Sequence, residues 1–368
     1  MANLRGHELV QTTLSAFYLF PERRKRPAED SSADVSRPPV RPHVQRENSD
    51  VREESSQTTT ASFSSQEQQD SNSSSRPRPR RQRSAAEWSR RKMLAETAKE
   101  TKQLLPNILR TVPHAPPNGY LYGPPKPPIL NRKFSPGFPP VEIKVVDADT
   151  FDTAIGVAKC EQYMTVRDQR PVCVLNMANA HSAGGGWVNG ALAQEEALCY
   201  RSSLSFTLKL RYYPLRDDQA IYSPTVVIIR ESLQDGHRLL DLTKPDELPV
   251  VSVISIAARC RPPLTDEGTP RYKDPKDRES MKEKMRIVLR IAAYNGHRRL
   301  VLGALGCGAF MNPREEVADC WVEVFNEREF KGGWWESIVF AVMDDLREGK
   351  DGNGNYGVFY RKLHGTVV

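Results

Sequence analysis

The sequence predicts a three-layer α/β domain with a mixed central sheet, preceded by an accessory helix and a disordered N-terminal tail. From residue 141 onward, short apolar segments rich in β-branched residues alternate with segments of helical periodicity. Residues 85–105 contain neither Gly nor Pro, which predicts a separate helix. Between residues 21 and 87 the only aromatic residue is Phe63, and such a segment cannot bury enough apolar surface to offset its chain entropy.

Composition limits the class of protein. The 368 residues carry a formal net charge of +7 at pH 7, which favours an anionic partner such as nucleic acid, a nucleotide polymer or a membrane surface. The six cysteines form no CxxC pair, which indicates reduced thiols of a cytosolic or nuclear protein. Neither a bilayer-spanning apolar run nor a secretory signal is visible. We expect a monomer without membrane association, metal or cofactor.

The chain is predicted to have three parts. Residues 1–83 form the disordered tail, with a basic block at 76–83. Residues 84–140 combine the accessory helix, which we expect Pro106 to end, with a Pro-rich strap on the domain surface. Residues 141–365 form the α/β domain. One face of the accessory helix is predicted to carry Trp88, Met93, Leu94, Ala98 and Leu105.

Within the α/β domain the pattern predicts six strands and four helices. The strands are expected at 141–146, 172–176, 225–230, 250–257, 300–305 and 338–343, and the helices at 150–159, 195–206, 278–294 and 313–327. Asp149 is predicted to cap the first helix. Asn312 is predicted to cap the last, with Pro313 at its first position.

The first candidate site follows the second predicted strand. The chain there passes through a polar turn and a glycine triplet into a helix, with candidate residues Asn179, Gly184, Gly185, Gly186, Gln194, Glu195 and Glu196. Ligands of open α/β sheets bind beyond the carboxyl ends of strands, and consecutive glycines expose backbone N–H groups to an anion. A flexible loop and a helix start that complements the helix dipole are the alternatives. The short spacing favours one loop that presents glycines and acids to one ligand.

The two adjacent acids should have different roles. Neighbouring residues of a helix project about 100° apart, so Glu195 and Glu196 cannot easily flank one glycosidic bond in the usual two-carboxylate arrangement. We therefore expect one acid to perform chemistry while the other positions a sugar.

A second glycine-rich turn joins the fifth predicted strand to the last helix. Its candidate residues are Gly306, Cys307, Gly308, Ala309 and Phe310. The turn predicts a second anion-binding loop, and a tight structural turn is the alternative. We expect Cys307 to be a small packing residue and not a nucleophile, and His181 to be a polar surface residue.

Several motifs together resemble one family. The triplet, seven intervening residues and Gln194-Glu195-Glu196 are similar to the signature of poly(ADP-ribose) glycohydrolases, and residues 175–179 resemble a stretch of macrodomains. Residues 195–204, 212–215, 221–224 and 300–310 resemble the microbial-type branch. The resemblance extends from about residue 84 to residue 359.

This resemblance implies a macrodomain-like catalytic domain that hydrolyses ribose–ribose O-glycosidic bonds of poly(ADP-ribose) and releases ADP-ribose. It implies that Glu196 is the catalytic acid, that Glu195 and Asn179 position the ribose, and that the glycine loops hold the diphosphate. Phe310 would pack on the distal ribose. Asp149 would bind adenine, with the helix cap as the alternative role, and Tyr222 could stack on adenine or pack in the core.

Two other functions fit the same fold. One is an ADP-ribose reader that binds without cleaving, and the other is a hydrolase of mono(ADP-ribose) on protein or DNA. The presence of both acids argues against the reader, since binding alone does not need the second one.

The tail contains a second motif. Gln11, Leu14, Phe17 and Tyr18 fit Q-x-x-L-x-x-aromatic-aromatic, which resembles the short motif that docks on the sliding clamp, proliferating cell nuclear antigen. The basic run at 23–26 is consistent with nuclear import, so we expect a nuclear protein of DNA repair or replication. A chance amphipathic stretch is the alternative, and the basic blocks could contact nucleic acid.

Overall fold

The computed structural model describes residues 84–112, 114–158 and 171–368. The predicted disordered tail, including the clamp-binding motif, lies outside these residues. The helices are α1 (Ala85–Thr111), α2 (Thr150–Val157), α3 (Gln194–Arg201), α4 (Leu204–Thr207), α5 (Pro275–Tyr294), α6 (Arg314–Phe325) and α7 (Asn355–Leu363). The strands are β1 (Tyr120–Tyr122), β2 (Lys144–Val146), β3 (Cys173–Met177), β4 (Ala220–Val227), β5 (Val250–Ile256), β6 (Arg299–Leu302) and β7 (Ser337–Ala341).

The seven strands form one mixed sheet in the order β1-β4-β5-β3-β6-β7-β2. The pairs β1–β4 and β4–β5 are antiparallel, and the other four pairs are parallel. This confirms the predicted α/β class with a mixed sheet. Because β5, β3, β6, β7 and β2 run in the same direction, their carboxyl ends meet at one edge of the sheet.

Helices cover both faces of this sheet. Leu175 of β3 packs with α5, α6 and α7 in one buried cluster, while Val174 packs with α1, α2 and α3 in another. The alternation follows from the two-residue period of a strand, which sends successive side chains to opposite faces. The result is the predicted three-layer arrangement. None of the described helices has the length and apolar composition needed to cross a membrane.

Several element boundaries differ from the predictions. Strand β1 lies in the predicted Pro-rich strap and has only three residues, too few for a periodic signal. Strand β4 begins five residues before its predicted start and α7 was not predicted. The predicted helix 195–206 is broken because Ser202 adopts an extended backbone, and its hydroxyl donates to the Leu198 carbonyl at 2.7 Å.

The accessory helix differs in two respects. Helix α1 continues through Pro106 to Thr111, so the prediction that Pro106 ends it is wrong. Pro106 is exposed, and the turns around it bury Leu105 and Ile108 against β4 and β5, which offsets the lost hydrogen bond. Its buried face consists of Leu94, Ala98, Thr101, Leu105 and Ile108, whereas Trp88 and Met93 are largely exposed.

Helix α1 is fastened to the first candidate loop. Arg91 donates from its guanidinium to the Asn189 carbonyl at 2.8 Å. A Cβ added at Gly190, whose φ is 71°, would lie 1.9 Å from the Arg91 carbonyl oxygen, so the helix backbone rests directly on this glycine. Thr101 donates to the Tyr200 carbonyl at 2.9 Å, which also joins α1 to α3. Helix α1 therefore holds the first candidate loop in place through direct contacts.

The outer side of the β2 edge is covered by the last residues of the chain. Val141 and Val368 exchange two backbone hydrogen bonds of 3.1 and 2.9 Å. Within β2, the Val145 N–H donates to Nδ1 of His364 at 3.1 Å. Backbone groups at this edge are thus paired within the fold.

We predict that Gly190→Ala lowers the free energy of unfolding by about 2–4 kcal/mol, because it combines an unfavourable left-handed φ with a clash against α1. Gly236→Ala is the matched control: its φ is 80°, but nothing lies within 4 Å of its added Cβ. The control should lose only about 1 kcal/mol. Urea unfolding measures both values. Equal losses would show that the contact with α1 contributes nothing.

Candidate active site

The carboxyl end of β3 and the start of α3 meet at the edge where the parallel strands end. Gln194 makes this junction. Its side-chain oxygen accepts from the Met177 N–H at 2.9 Å, and its Nε2 donates to the Leu175 carbonyl at 2.7 Å. The amide thus pairs with the β3 backbone as another strand would. The predicted substrate-binding residue Gln194 is engaged by the fold, and its contacts are those of a positioning residue.

Both carboxyl oxygens of Glu195 accept hydrogen bonds. Its Oε2 accepts from the Asn179 backbone N–H at 2.7 Å, and its Oε1 accepts from Nδ2 of Asn176 at 3.3 Å. The residue is only 3 % exposed. Burial raises the pKa of this carboxyl to about 8, and the neighbouring charge of Glu196 adds to the rise, while the two hydrogen bonds oppose it.

Glu196 points toward the glycine triplet. Its Oε1 accepts from the Gly186 N–H at 2.9 Å. A Cβ added at Gly185 would lie 2.3 Å from Oε1 of Glu196 and 3.2 Å from Oε2 of Glu195. The structure therefore brings together the triplet and both acids, as the sequence predicted. Within the described residues, Oε2 of Glu196 accepts no hydrogen bond.

The triplet is tightly packed. A Cβ at Gly184, whose φ is 75°, would lie 2.8 Å from the Trp187 ring, and one at Gly186 would lie 2.9 Å from Ala191. The Tyr200 hydroxyl lies 2.9 Å from the Trp187 carbonyl and 2.6 Å from the Ala191 carbonyl. These contacts favour a packed loop over the alternative of a flexible one.

The second glycine loop is held by Asn312. Its Nδ2 lies 2.8 Å from the Arg259 carbonyl and 3.1 Å from the Gly306 carbonyl, and its oxygen accepts from the Tyr272 hydroxyl at 2.9 Å. The prediction that Asn312 caps the helix is wrong, as is the placement of Pro313 inside it: α6 begins at Arg314 with Pro313 as its cap residue. The Asn312 side chain makes these contacts with the loop, so it does not cap α6.

Three backbone N–H groups of this loop have no acceptor among the described residues. In the part of the chain that the structure describes, those of Gly308, Ala309 and Phe310 donate no hydrogen bond. Gly308 is exposed, and a Cβ there would meet nothing within 4 Å. Packing and φ therefore do not require glycine at this position, and the bare backbone leaves room for a ligand to approach closely. Cys307 is buried, which raises the pKa of its thiol and fits a packing role.

Three other predicted residues take structural positions. Asp149 caps α2 by accepting from the Phe151 N–H at 2.7 Å, and it pairs with Arg201, so the structure gives it the alternative role of a helix cap. Tyr222 is buried and its hydroxyl lies 2.9 Å from Nε2 of His297, which is a core position. The side chain of Asn179 accepts from the His181 and Ser182 N–H groups, so its backbone N–H, and not its side chain, contacts Glu195.

Asn176 belongs to the site although it was not among the predicted site residues. It is fully buried, and its Nδ2 donates to Glu195 and to the Ser255 hydroxyl at 2.9 Å. The signal in the sequence was an amide inside an otherwise apolar strand, where a polar group needs a partner. Ser255 on β5 gave no such signal.

The chemistry available here is that of two adjacent acids in different environments beside two glycine loops. Glu195 is fixed at both oxygens, whereas one oxygen of Glu196 has no donor among the described residues, so Glu196 is the better placed to transfer a proton. Among the described residues, no group of three or more His, Cys, Asp and Glu side chains is arranged to hold a metal ion.

Comparisons with known proteins agree with this site. The model of the microbial-type poly(ADP-ribose) glycohydrolase catalytic domain matches residues 44–231, just over half of the chain. The chain belongs to this family, which confirms the family resemblance of the sequence motifs.

Solved structures show the same relationship. Poly(ADP-ribose) glycohydrolase from Thermomonospora curvata is 26% identical, with 75% of this chain and 99% of that chain covered and a TM-score of 0.58. The same protein bound to the inhibitor ADP-HPD is 27% identical, with 74% and 99% covered and a TM-score of 0.57. Poly(ADP-ribose) glycohydrolase from Deinococcus radiodurans in complex with ADP-ribose is 28% identical, with 67% and 94% covered and a TM-score of 0.51. No curated protein matches the chain.

Glu195→Gln should make stability less sensitive to pH. Because the pKa of Glu195 rises from 4.5 to about 8 on folding, the folded protein keeps a proton that the unfolded chain loses between these values. From about pH 5 to about pH 8, the unfolding free energy of the natural protein should fall by about 2–4 kcal/mol relative to that of Glu195→Gln. Urea unfolding across this range measures the difference. Glu96→Gln, on the exposed face of α1, should leave the pH dependence unchanged. Parallel curves for all three proteins would contradict this prediction.

Proposed function

We propose that this chain hydrolyses the ribose–ribose O-glycosidic bonds of poly(ADP-ribose) and releases ADP-ribose. The observation that carries the proposal is the contact of Glu195 and Glu196 with the glycine triplet, in a chain of the poly(ADP-ribose) glycohydrolase family. The similar structures from T. curvata and D. radiodurans, with ADP-HPD and ADP-ribose respectively, support the same class of substrate.

In the proposed mechanism Glu196 transfers the proton. It donates to the oxygen of the leaving ribose as the glycosidic bond breaks, and an oxocarbenium-like centre forms on the other sugar. Glu196 then accepts a proton from the attacking water. Gly186 donates to Oε1, and no other described residue donates to the carboxylate, which leaves Oε2 for these steps.

Glu195 is assigned the positioning role. Its two oxygens are already fixed by Asn176 and Asn179, and the protonated carboxyl can still donate to one ribose hydroxyl and accept from another. The N–H groups of Gly308, Ala309 and Phe310, which have no acceptor among the described residues, suit the oxygens of a diphosphate, with Phe310 beside the distal ribose.

Glu196→Gln should reduce hydrolysis of purified poly(ADP-ribose) by about 10²–10⁴-fold, because the amide cannot donate and recover the proton. Its affinity for ADP-ribose should stay within a few-fold of the natural value, since the loops that hold the ligand are unchanged. Product chromatography measures hydrolysis, and calorimetry measures binding. The exposed variant Glu96→Gln serves as control. Equal hydrolysis by Glu196→Gln and the natural protein would exclude the assignment.

The same assay separates the alternative functions. A reader would bind ADP-ribose without releasing product, and a mono(ADP-ribosyl) hydrolase would act on singly modified protein or DNA in preference to polymer. Both acids are present and in contact with the triplet, which favours hydrolysis over binding alone.

We further propose that residues 11–18 bind the sliding clamp and that the protein works in the nucleus, in DNA repair or replication. The support is in the sequence: Gln11, Leu14, Phe17 and Tyr18 have the spacing of a clamp-docking motif, and basic residues follow at 23–26. The basic tail is also suited to contact nucleic acid.

A peptide of residues 1–30 should bind purified clamp saturably, and replacing both Phe17 and Tyr18 by Ala should weaken binding at least about tenfold, because these rings form the hydrophobic plug. Calorimetry or fluorescence anisotropy measures the affinity. A scrambled peptide of the same charge is the control. Equal binding of the scrambled peptide would show electrostatic attraction without docking.

A further inference from the structure

A short basic turn lies against the rim of the second glycine loop. Residues 259–261 follow β5 at the edge of the sheet that carries the candidate site. The Arg259 carbonyl accepts from Asn312 at 2.8 Å, and the Arg261 N–H donates to the Phe310 carbonyl at 2.8 Å. Hydrogen bonds on both sides therefore fix this turn to the loop that we assign to the diphosphate.

The backbone at this contact has an uncommon conformation. Arg261 has a φ of 51°, and Met311, next to Phe310, has a φ of 54°. Both lie in the left-handed region that residues with a side chain rarely adopt, and they flank one hydrogen bond. Such conformations persist only where the surrounding structure holds them, and they concentrate at ligand sites.

Arg259 and Arg261 differ in whether an acidic group neutralises the charge of the side chain. The Arg259 guanidinium forms an ion pair of 3.0 Å with the buried carboxylate of Asp277. Arg261 is exposed, and within the described residues its side chain makes no ion pair or hydrogen bond. An uncompensated guanidinium is thus attached to backbone that is hydrogen-bonded to Phe310, next to the N–H groups of Gly308, Ala309 and Phe310 that have no acceptor among the described residues. Guanidinium groups bind phosphate oxygens through two parallel hydrogen bonds.

We propose that Arg261 is an additional substrate-binding residue that contacts a phosphate group of the ADP-ribose chain, extending the diphosphate site beyond the glycine loop. This inference rests on the proposed function for the identity of the substrate. The phosphate belongs either to the diphosphate on the loop or to the adjoining unit of the polymer, and both have the same chemistry.

The test compares Arg261→Gln, Arg261→Lys and the control Arg328→Gln. Arg328 is also exposed without an ion pair in the described part of the chain. It follows α6 and precedes β7, so it lies near the amino ends of the parallel strands, away from the candidate site. For each protein we would measure kcat and KM on long poly(ADP-ribose) at two salt concentrations. Calorimetry would give the affinity for ADP-ribose, and thermal unfolding would check the fold.

Arg261→Gln should raise KM on polymer about five- to tenfold and reduce its salt dependence, with kcat within about twofold, because a phosphate contact far from the glycosidic bond contributes to binding. Arg261→Lys should recover part of the loss, since a point charge replaces the fork. An equal loss of ADP-ribose affinity would place the phosphate on the loop, and an unchanged affinity would place it in the adjoining unit.

The inference is overturned if Arg261→Gln matches Arg328→Gln in KM, salt dependence and ADP-ribose affinity. Failure of the proposed function looks different. The natural protein would then release no product from polymer, while the calorimetric comparison of the Arg261 variants would still decide whether this side chain binds phosphate.

Discussion

The close approach of Gly185 to the two adjacent glutamates is the constraint on which the site depends. A side chain at this position would occupy the space of a carboxylate oxygen, so the loop can enclose the acids only as bare backbone. The same helix supplies the acids and Tyr200, which holds the loop at two carbonyls. Helix α1 supports the loop from the other side at Gly190. Loop, acids and supporting helix are therefore one packed unit.

Two neighbouring residues of one type acquire different properties from their surroundings. Glu195 lies deeper, between Asn176 and the Asn179 backbone, and burial raises its pKa to about 8. Glu196 accepts from the Gly186 N–H at one oxygen, and its other oxygen has no donor in the described part of the chain. The difference follows from the direction in which each side chain leaves the helix, since one projects toward the β3 end and the other toward the triplet. Two residues of the same type can therefore have different roles in the site.

Much of the fold followed from patterns that are local in sequence. Buried strands such as β5 are mostly apolar, and helix α5 has a clear period, so both were predicted from their own residues. The predictions that were wrong concern residues whose structure depends on partners distant in the sequence. Pro106 is tolerated in α1 because neighbouring residues pack on the sheet, and Asn312 holds a loop because Tyr272 lies beside it. For the site, the motif placed the acids and the triplet together, but the support of Asn176 and α1 required the tertiary structure.

The covered edge of β2 bears on how this protein behaves at high concentration. An open strand edge is a template for pairing with a second molecule. Here the last residues and the His364 imidazole form hydrogen bonds with backbone groups of residues 141–145. A variant or fusion that displaces residues 364–368 would uncover this edge on the far side of the sheet from β1. Its first symptom would be self-association and loss of solubility, with the acids and both glycine loops still in place.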